Sequence, residues 1–143
     1  MMKEMLARAQ SIAYKAHANQ LDKSGKPYIG HIERVAARVH SDEAKCVALL
    51  HDVLEDTTLI TADEMRSIFG DHITDAVLSV TKRAGESYEA FVQRAGENAL
   101  GREVKIADLI DNSNLSRLDQ VTLVDVQRQR KYNDALLYLL SMC

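Results

Sequence analysis

The segment VALLHDVLEDTT, residues 47–58, places one imidazole and three carboxylates directly after an apolar run. On an α-helix, with about 100° between successive residues, the apolar positions fall on one side and the polar positions on the other. The polar set consists of His51, Asp52, Glu55 and Asp56. Like charges four residues apart repel each other, so three carboxylates on one face favour a bound cation. A solvated helix face is the alternative that this segment alone leaves open.

Two further polar residues occur within apolar segments. His31 begins the helical pattern HIERVAARV, where a core or capping histidine is also common, and Asp108 lies within VKIADLIDN. A buried carboxylate without a partner is costly, so Asp108 requires hydrogen bonds, an arginine or a metal. Together with His51 and Asp52, these residues offer two imidazoles and two carboxylates. That mixed set suits Mn²⁺, Fe²⁺ or Zn²⁺ with positions left for water or substrate.

The rest of the pattern predicts a chain built from helices. One proline, six glycines and the absence of a sustained alternation of β-branched residues argue against strands. Gly25 and Pro27 mark a loop, Thr61 followed by Glu64 predicts a capping box, and Gly70 predicts a helix break. The predicted helices span residues 2–18, 28–40, 42–55, 61–69, 71–82, 86–97, 98–115 and 120–141. The predicted fold class is therefore all-α, a compact single-domain helical bundle over residues 1–143.

Composition limits the classes of function. A chain of 143 residues with a net charge of −3 suits one domain and carries no general signal for binding nucleic acid. No apolar run reaches the roughly 20 residues that span a bilayer, and the amphipathic N-terminus does not resemble a signal peptide. Cys46 and Cys143 do not make a disulfide framework. We therefore expect a cytoplasmic protein with neither membrane nor nucleic acid as a partner.

Four ordered segments resemble the HD superfamily of metal-dependent phosphohydrolases. Within it they are most similar to the hydrolase domain of RelA/SpoT-type alarmone enzymes, which include small stand-alone members. The segments are HANQLDKSGKPYIGHI, ALLHDVLEDTT, IFGDHITDAVLSVTK and VKIADLIDN. The resemblance implies an all-helical phosphohydrolase domain over residues 1–143 that removes the 3′-pyrophosphate from (p)ppGpp. It also implies a divalent metal, usually Mn²⁺, held by residues matching His31, His51, Asp52 and Asp108.

The resemblance also implies roles for residues around the metal. Glu55 and Asp56 match positions that handle the attacking water, and each follows a candidate ligand by one helical turn. Solvation or capping of a helix end is the alternative for this pair. The residues that match substrate-side positions are Lys23, Ser24, Asn112 and Tyr132. An exposed polar loop remains the alternative for the first two, and core packing for Tyr132.

Two positions depart from the family pattern. Asp22 stands where the family usually has an arginine that packs on guanine, and Leu109 follows Asp108 where an arginine is usual. A carboxylate cannot stack as a cation, so the resemblance predicts the reaction class and not the base.

The first candidate function is a metal-dependent, guanosine-3′,5′-bis(diphosphate) 3′-pyrophosphohydrolase-like enzyme acting on a small nucleotide. The alternatives are an HD-type nucleotidase, or other small phosphoester hydrolase, and a non-catalytic metal- and nucleotide-binding sensor. A homodimer is left open, because it depends on which face the last helix exposes.

Overall fold

The structure is a computed structural model that describes residues 2–143. Its α-helices in chain order are α1 (Met2–Ala16), α2 (Ile29–Arg38), α3 (Asp42–Leu50), α4 (Val53–Asp56), α5 (Ala62–Ser79), α6 (Tyr88–Gly96), α7 (Ala99–Asn112) and α8 (Leu123–Leu140), with a 3-10 turn at Leu115–Arg117. Between residues 2 and 143 the only β-type pairing is an isolated bridge of Leu21 with Pro27. The predicted all-α fold is confirmed. None of the helices in this range has the length and hydropathy that crossing a membrane requires.

The central helix of the bundle is α3. Its N-cap is Ser41, whose Oγ accepts a hydrogen bond of 3.0 Å from the N–H of Ala44. Every residue from Cys46 to Leu50 is at most 4% exposed. The helix packs against α1, α2, α5 and α7. Because neighbours enclose α3, the position of its C-terminal end is set by the core.

The prediction of one continuous helix over residues 42–55 is wrong at His51 and Asp52. Helix α3 ends at Leu50, and Asp52 adopts φ −105° and ψ 0° before the short helix α4 begins. These angles lie in the sparsely populated bridge region, where many active-site residues are found. At this break the Asp52 carboxylate accepts a hydrogen bond from the Tyr28 hydroxyl. This contact comes from a distant part of the chain, which a helical pattern does not encode.

The predicted break at Gly70 and the predicted capping box are both confirmed. Gly70 has φ 84° and ψ 175° inside α5, a backbone conformation that glycine tolerates because it lacks a Cβ. Thr61 and Glu64 exchange hydrogen bonds of 3.1 Å at the start of the same helix. Apart from the break after Leu50, the predicted helix limits differ from the observed ones by at most three residues.

Helices α6, α7 and α8 form a smaller second core. Leu109 of α7 packs with Ala135 and Leu139 of α8, and Tyr132 is partly buried against them. The same α8 leaves apolar side chains exposed, including Leu123 at 72% and Leu137 at 68%. An exposed apolar face on the last helix is the feature that a homodimer would require, and the homodimer stays a prediction. The cytoplasmic location also stays a prediction.

Candidate functional site

Three of the four predicted ligands converge where α2, α3 and α7 meet. One ligand atom from each of His31, His51 and Asp108 lies within 4.8 Å of the other two. All three residues are buried, with no more than 5% of their surface exposed. Asp108 Oδ1 lies 2.9 Å from His31 Nε2 and 3.4 Å from His51 Nε2. Both imidazoles therefore direct the same ring nitrogen at one carboxylate oxygen.

The fourth predicted ligand, Asp52, lies beside this group. Its Oδ2 is 3.2 Å from His51 Nε2 and also accepts the hydrogen bond from Tyr28. Asp52 is not part of the group of three whose ligand atoms all lie within 4.8 Å of one another. Its place in a set of four ligands stays a prediction.

The environment of the two His51 ring nitrogens suits this residue to bind a metal. Its Nδ1 lies 2.5 Å from the carbonyl oxygen of Ala48 and donates to it. A backbone contact of this kind fixes the ring so that Nε2 is the atom available to a cation. Among residues 2–143, His51 Nε2 is buried without a hydrogen-bond partner, although carboxylates lie nearby. An unpartnered buried nitrogen between two carboxylates is the arrangement that a divalent cation completes.

The charges in the group stabilise one another. Burial alone would lower the pKa of His51, but Asp52 and Asp108 outweigh it and raise that pKa well above its ordinary value. The pKa of His31 is also raised, since its hydrogen bonds to Asp108 and Asp111 outweigh burial. Conversely, burial would raise the pKa of Asp108, but Lys105 and the two histidines hold it well below the ordinary range. A divalent cation would take the place of the histidine protons as the positive partner of these carboxylates.

Lys105 and Asn112 also donate hydrogen bonds to the Asp108 carboxylate. The buried Lys105 donates from Nζ to Asp108 Oδ2 over 3.0 Å, and its Nζ lies 4.7 Å from the centre of the Phe91 ring. Asn112 donates from Nδ2 to Asp108 Oδ1 over 3.2 Å. Each carboxylate oxygen of Asp108 thus accepts a hydrogen bond from one of these residues, and Oδ1 also faces the two imidazoles.

Sequence reasoning missed Asp111, which is 2% exposed and contacts His31. Asp111 Oδ2 accepts a hydrogen bond of 2.7 Å from His31 Nδ1, and Oδ1 accepts one of 2.8 Å from Arg34 Nε. Although burial opposes it, these two bonds lower the pKa of Asp111 to about 2. Spacing carried a signal, because Asp111 follows Asp108 by three residues and Arg34 follows His31 by three. Residues at this spacing share a helix face.

A cleft of about 330 Å³ opens beside His31. The predicted substrate-side residues all line it, namely Lys23, Ser24, Asn112 and Tyr132. It is also lined by four basic side chains, Lys23, Arg34, Arg117 and Arg128, and by three acidic ones, Asp22, Asp111 and Asp125. Burial, followed by the neighbouring Arg128, lowers the pKa of Lys23, while Asp125 acts in the opposite direction. A concave site of this volume with several basic side chains suits a small phosphorylated molecule.

The two predicted catalytic carboxylates lie outside this cleft. Glu55 and Asp56 line a shallow depression together with Gln20. Glu55 Oε1 accepts a hydrogen bond of 2.7 Å from the N–H of Lys82, and Asp56 Oδ2 accepts one of 3.3 Å from Gln20 Nε2. Burial, followed by the charge of Asp52 among other effects, raises the pKa of both carboxyl groups. Within residues 2–143 neither carboxylate is hydrogen-bonded to His31, His51 or Asp108, and their predicted role toward the attacking water stays a prediction.

Asp22 shapes the loop between α1 and α2. Its Oδ1 accepts hydrogen bonds of 2.9 Å from the N–H groups of Ser24 and Lys26. Gly25 has φ 78°, which allows the tight turn between them. The carboxylate of Asp22 is therefore engaged by the backbone of its own loop. That loop presents Lys23 and Ser24 to the cleft.

Comparison with known proteins shows the family to which this chain belongs. The sequence model of the HD domain family matches residues 9–107. A probable guanosine-3′,5′-bis(diphosphate) 3′-pyrophosphohydrolase from Synechocystis sp. is 29% identical over 137 residues, which cover 89% of this chain and 18% of the relative. The guanosine-3′,5′-bis(diphosphate) 3′-pyrophosphohydrolase of Aquifex aeolicus is 32% identical over 121 residues, which cover 76% of this chain and 17% of the relative. The chain thus spans less than a fifth of the length of these curated relatives.

A solved structure has the same fold. It is described as a metazoan ortholog of SpoT that hydrolyzes ppGpp and plays a role in starvation responses. The match has a TM-score of 0.75 and 22% sequence identity, and it covers 95% of this chain and 85% of that chain. The resemblance to RelA/SpoT-type proteins is confirmed, and the chain belongs to the HD domain family.

Proposed function

We propose that the chain is a divalent-metal-dependent phosphohydrolase that releases pyrophosphate from the 3′ position of a nucleotide like guanosine-3′,5′-bis(diphosphate). The observation that carries this proposal is the buried group of His31, His51 and Asp108, of which His31 also lines a cleft that contains four basic side chains. The names of the relatives from Synechocystis and Aquifex aeolicus support the same reaction.

The proposed ligands are His31, His51 and Asp108, with Asp52 as the fourth. Two imidazoles and two carboxylates form a mixed nitrogen and oxygen set, and we propose Mn²⁺ as the bound ion. A bound divalent cation lowers the pKa of water and offsets the negative charge of a phosphate ester during its hydrolysis. The unpartnered Nε2 of His51 supports this assignment.

Glu55 and Asp56 are the proposed catalytic carboxylates. Burial raises the pKa of each, which brings a carboxyl group closer to the range where it can accept a proton at neutral pH. We assign proton acceptance from the attacking water to Glu55. We assign orientation of that water to Asp56, which Gln20 holds in place.

The cleft supplies the proposed contacts with the nucleotide. Lys23 is placed to meet phosphate charge, Ser24 to offer a hydroxyl, and Tyr132 to pack an aromatic ring against the base or ribose. Asn112 lines the same cleft and reaches Asp108. Residue 22 is an aspartate whose carboxylate accepts hydrogen bonds from its own loop, so this position offers the base no cation. That observation favours one second candidate, an HD-type nucleotidase with a different base preference.

Product analysis tests the proposed reaction. Purified protein with Mn²⁺ is incubated with ppGpp and with a panel of nucleoside mono- and triphosphates, with a chelator as the control. Release of pyrophosphate from ppGpp, lost with chelator, is the expected result. Release of phosphate from another nucleotide, with ppGpp intact, would replace this function with the nucleotidase. Metal binding without turnover of any substrate would favour the third alternative, a non-catalytic metal- and nucleotide-binding sensor.

A pair of aspartate variants tests the site. Asp52→Ala should lose bound Mn²⁺ and turnover while its helical circular dichroism is unchanged. Asp71→Ala is the matched control, because the Asp71 side chain is 79% exposed and bonded to Arg66. Full activity and metal content in a folded Asp52→Ala protein would contradict the assignment.

A further inference from the structure

Asp111 is buried beside a candidate ligand but has no part in the function proposed above. We propose that Asp111 is a positioning residue that fixes the His31 ring toward the cation, and that Arg34 and Arg117 hold Asp111 in place. This inference rests on the proposed function in one respect, since it takes a divalent cation as the group that His31 binds.

The two nitrogens of His31 face different carboxylates. His31 Nδ1 is 2.7 Å from Asp111 Oδ2, while His31 Nε2 is 2.9 Å from Asp108 Oδ1 and belongs to the ligand group. A hydrogen bond donated by Nδ1 places that proton away from the cation and leaves the Nε2 lone pair for coordination. The side chains of His31 and Asp111 are 4% and 2% exposed, so water cannot readily replace this bond.

Arg34 and Arg117 restrict the orientation of the Asp111 carboxylate. Arg34 donates from Nε to Oδ1 over 2.8 Å and from Nη2 to Oδ2 over 3.2 Å. Arg117 donates from Nη2 to the backbone carbonyl of Asp111 over 2.7 Å and to Oδ2 over 3.4 Å. A two-point contact by a guanidinium fixes a carboxylate plane, because both groups are flat and paired. Asp111 therefore cannot turn away from His31 without breaking bonds to both arginines.

Two readings of this network make different predictions. If the ion pairs only join α2 to the end of α7, removing Asp111 lowers stability and leaves the affinity for metal unchanged. If Asp111 positions His31, its removal weakens metal binding in a protein that is still folded. Loss of the partner of a ligating histidine typically reduces metal affinity by about 10- to 100-fold.

Mn²⁺ binding by the purified metal-free chain separates these readings. Asp111→Ala should bind Mn²⁺ about 10- to 100-fold more weakly than the parent, with its helical circular dichroism retained. Glu86→Ala is the matched control, because Glu86 is also a poorly exposed carboxylate held at two points by Arg94, at 2.9 Å each, but it does not contact His31. The control should keep the parent affinity. A folded Asp111→Ala chain with parent affinity, or an equal loss in Glu86→Ala, would overturn the proposal.

A measurement on the parent protein decides the matter if Asp111→Ala does not fold. Long-range ¹H–¹⁵N spectra of ¹⁵N-histidine-labelled parent, loaded with Zn²⁺ as a diamagnetic probe, report which nitrogen of His31 carries a proton. His31→Gln identifies its signals. The expected result is a protonated Nδ1 and a metal-bound Nε2, and the opposite assignment overturns the proposal.

Failure of the proposed function is distinguishable from failure of this inference. A parent chain that binds no divalent cation contradicts both. Weakened binding in Asp111→Ala, in a parent that hydrolyses no nucleotide, supports the role of Asp111 and contradicts the proposed function alone.

Discussion

The hydrogen bond between Tyr28 and Asp52 provides a sharp test of what fixes the Asp52 carboxylate, because removing a single atom, the Tyr28 hydroxyl oxygen, abolishes it. The Tyr28 hydroxyl donates to Asp52 Oδ2. Tyr28→Phe removes the hydroxyl oxygen and keeps the ring. The ring centre lies 5.1 Å from that of His17 and 5.3 Å from that of His31, and this packing is retained. The loss of stability in this variant therefore reports the hydrogen bond to the carboxylate, with little contribution from lost packing.

The magnitude follows from the burial of Asp52. A hydrogen bond to a charged group contributes about 1.5–3 kcal/mol. The Asp52 side chain is 14% exposed, so water can partly replace the lost hydroxyl, and we expect the lower part of that range, about 1.5–2 kcal/mol. Domains of this kind have free energies of unfolding of about 5–15 kcal/mol, so the variant should fold.

Urea denaturation of the metal-free proteins measures this loss. With a slope of about 1–3 kcal/mol per molar urea, the midpoint of Tyr28→Phe should fall by roughly 0.5–2 M while the slope is unchanged. Tyr138→Phe removes the same atom from a tyrosine that is 41% exposed, and it should stay within about 0.5 kcal/mol of the parent. If Tyr28→Phe loses no more stability than Tyr138→Phe, the hydrogen bond does not hold Asp52 and the reasoning is refuted.

Three further predictions concern packing, pH and metal. Gly101→Ala would place a Cβ 2.0 Å from Ser79 Oγ, so it should cost about 1–3 kcal/mol in thermal or urea unfolding, and adding Ser79→Ala should recover most of that loss. Hydrogen bonds from Arg94 lower the pKa of Glu86 from 4.5 to about 2, so its stabilisation is present above pH 4.5 and lost as pH falls through about 2. The difference in stability between the parent and Glu86→Gln should accordingly shrink over that interval, and a constant difference would contradict the pairing. Free Mn²⁺ at 100 times its Kd should raise the free energy of unfolding by about 2.7 kcal/mol, and a melting temperature equal to that in chelator would argue against a site in the folded state.

The fold was largely predictable because local patterns determine most of its elements. The capping pair Thr61 and Glu64 and the glycine at position 70 act over a few residues, and each was found where expected. At the break after Leu50, by contrast, Asp52 accepts a hydrogen bond from Tyr28, which lies 24 residues away. A helical repeat carries no information about such a contact, so the short helix α4 could not be read from it.

The site was predictable in part for the same reason. His31, His51 and Asp108 were found because each is a polar residue in an apolar segment, and burial forces such residues together. Asp111 was missed because the polar residues Asn112, Ser113 and Asn114 follow it, so that it resembles a solvated helix end and not a polar residue within an apolar segment. The roles of Glu55 and Asp56 rest on the family resemblance and on their spacing from His51 and Asp52, and they stay predictions; both residues line a depression outside the cleft.

The contrast between the two walls of the cleft has an evolutionary consequence. The inner wall consists of His31 and Arg34 of α2 and Asp111 at the end of α7, next to the ligand group, where a substitution disturbs packing and metal ligands together. The outer wall consists of the loop at residues 21–24, the turn at residues 115–118 and one side of α8, all partly exposed. Substitutions there change the shape and charge offered to a substrate at little expense in stability. Lineages of this fold should therefore diverge in the molecules they recognise long before they lose the group of ligands.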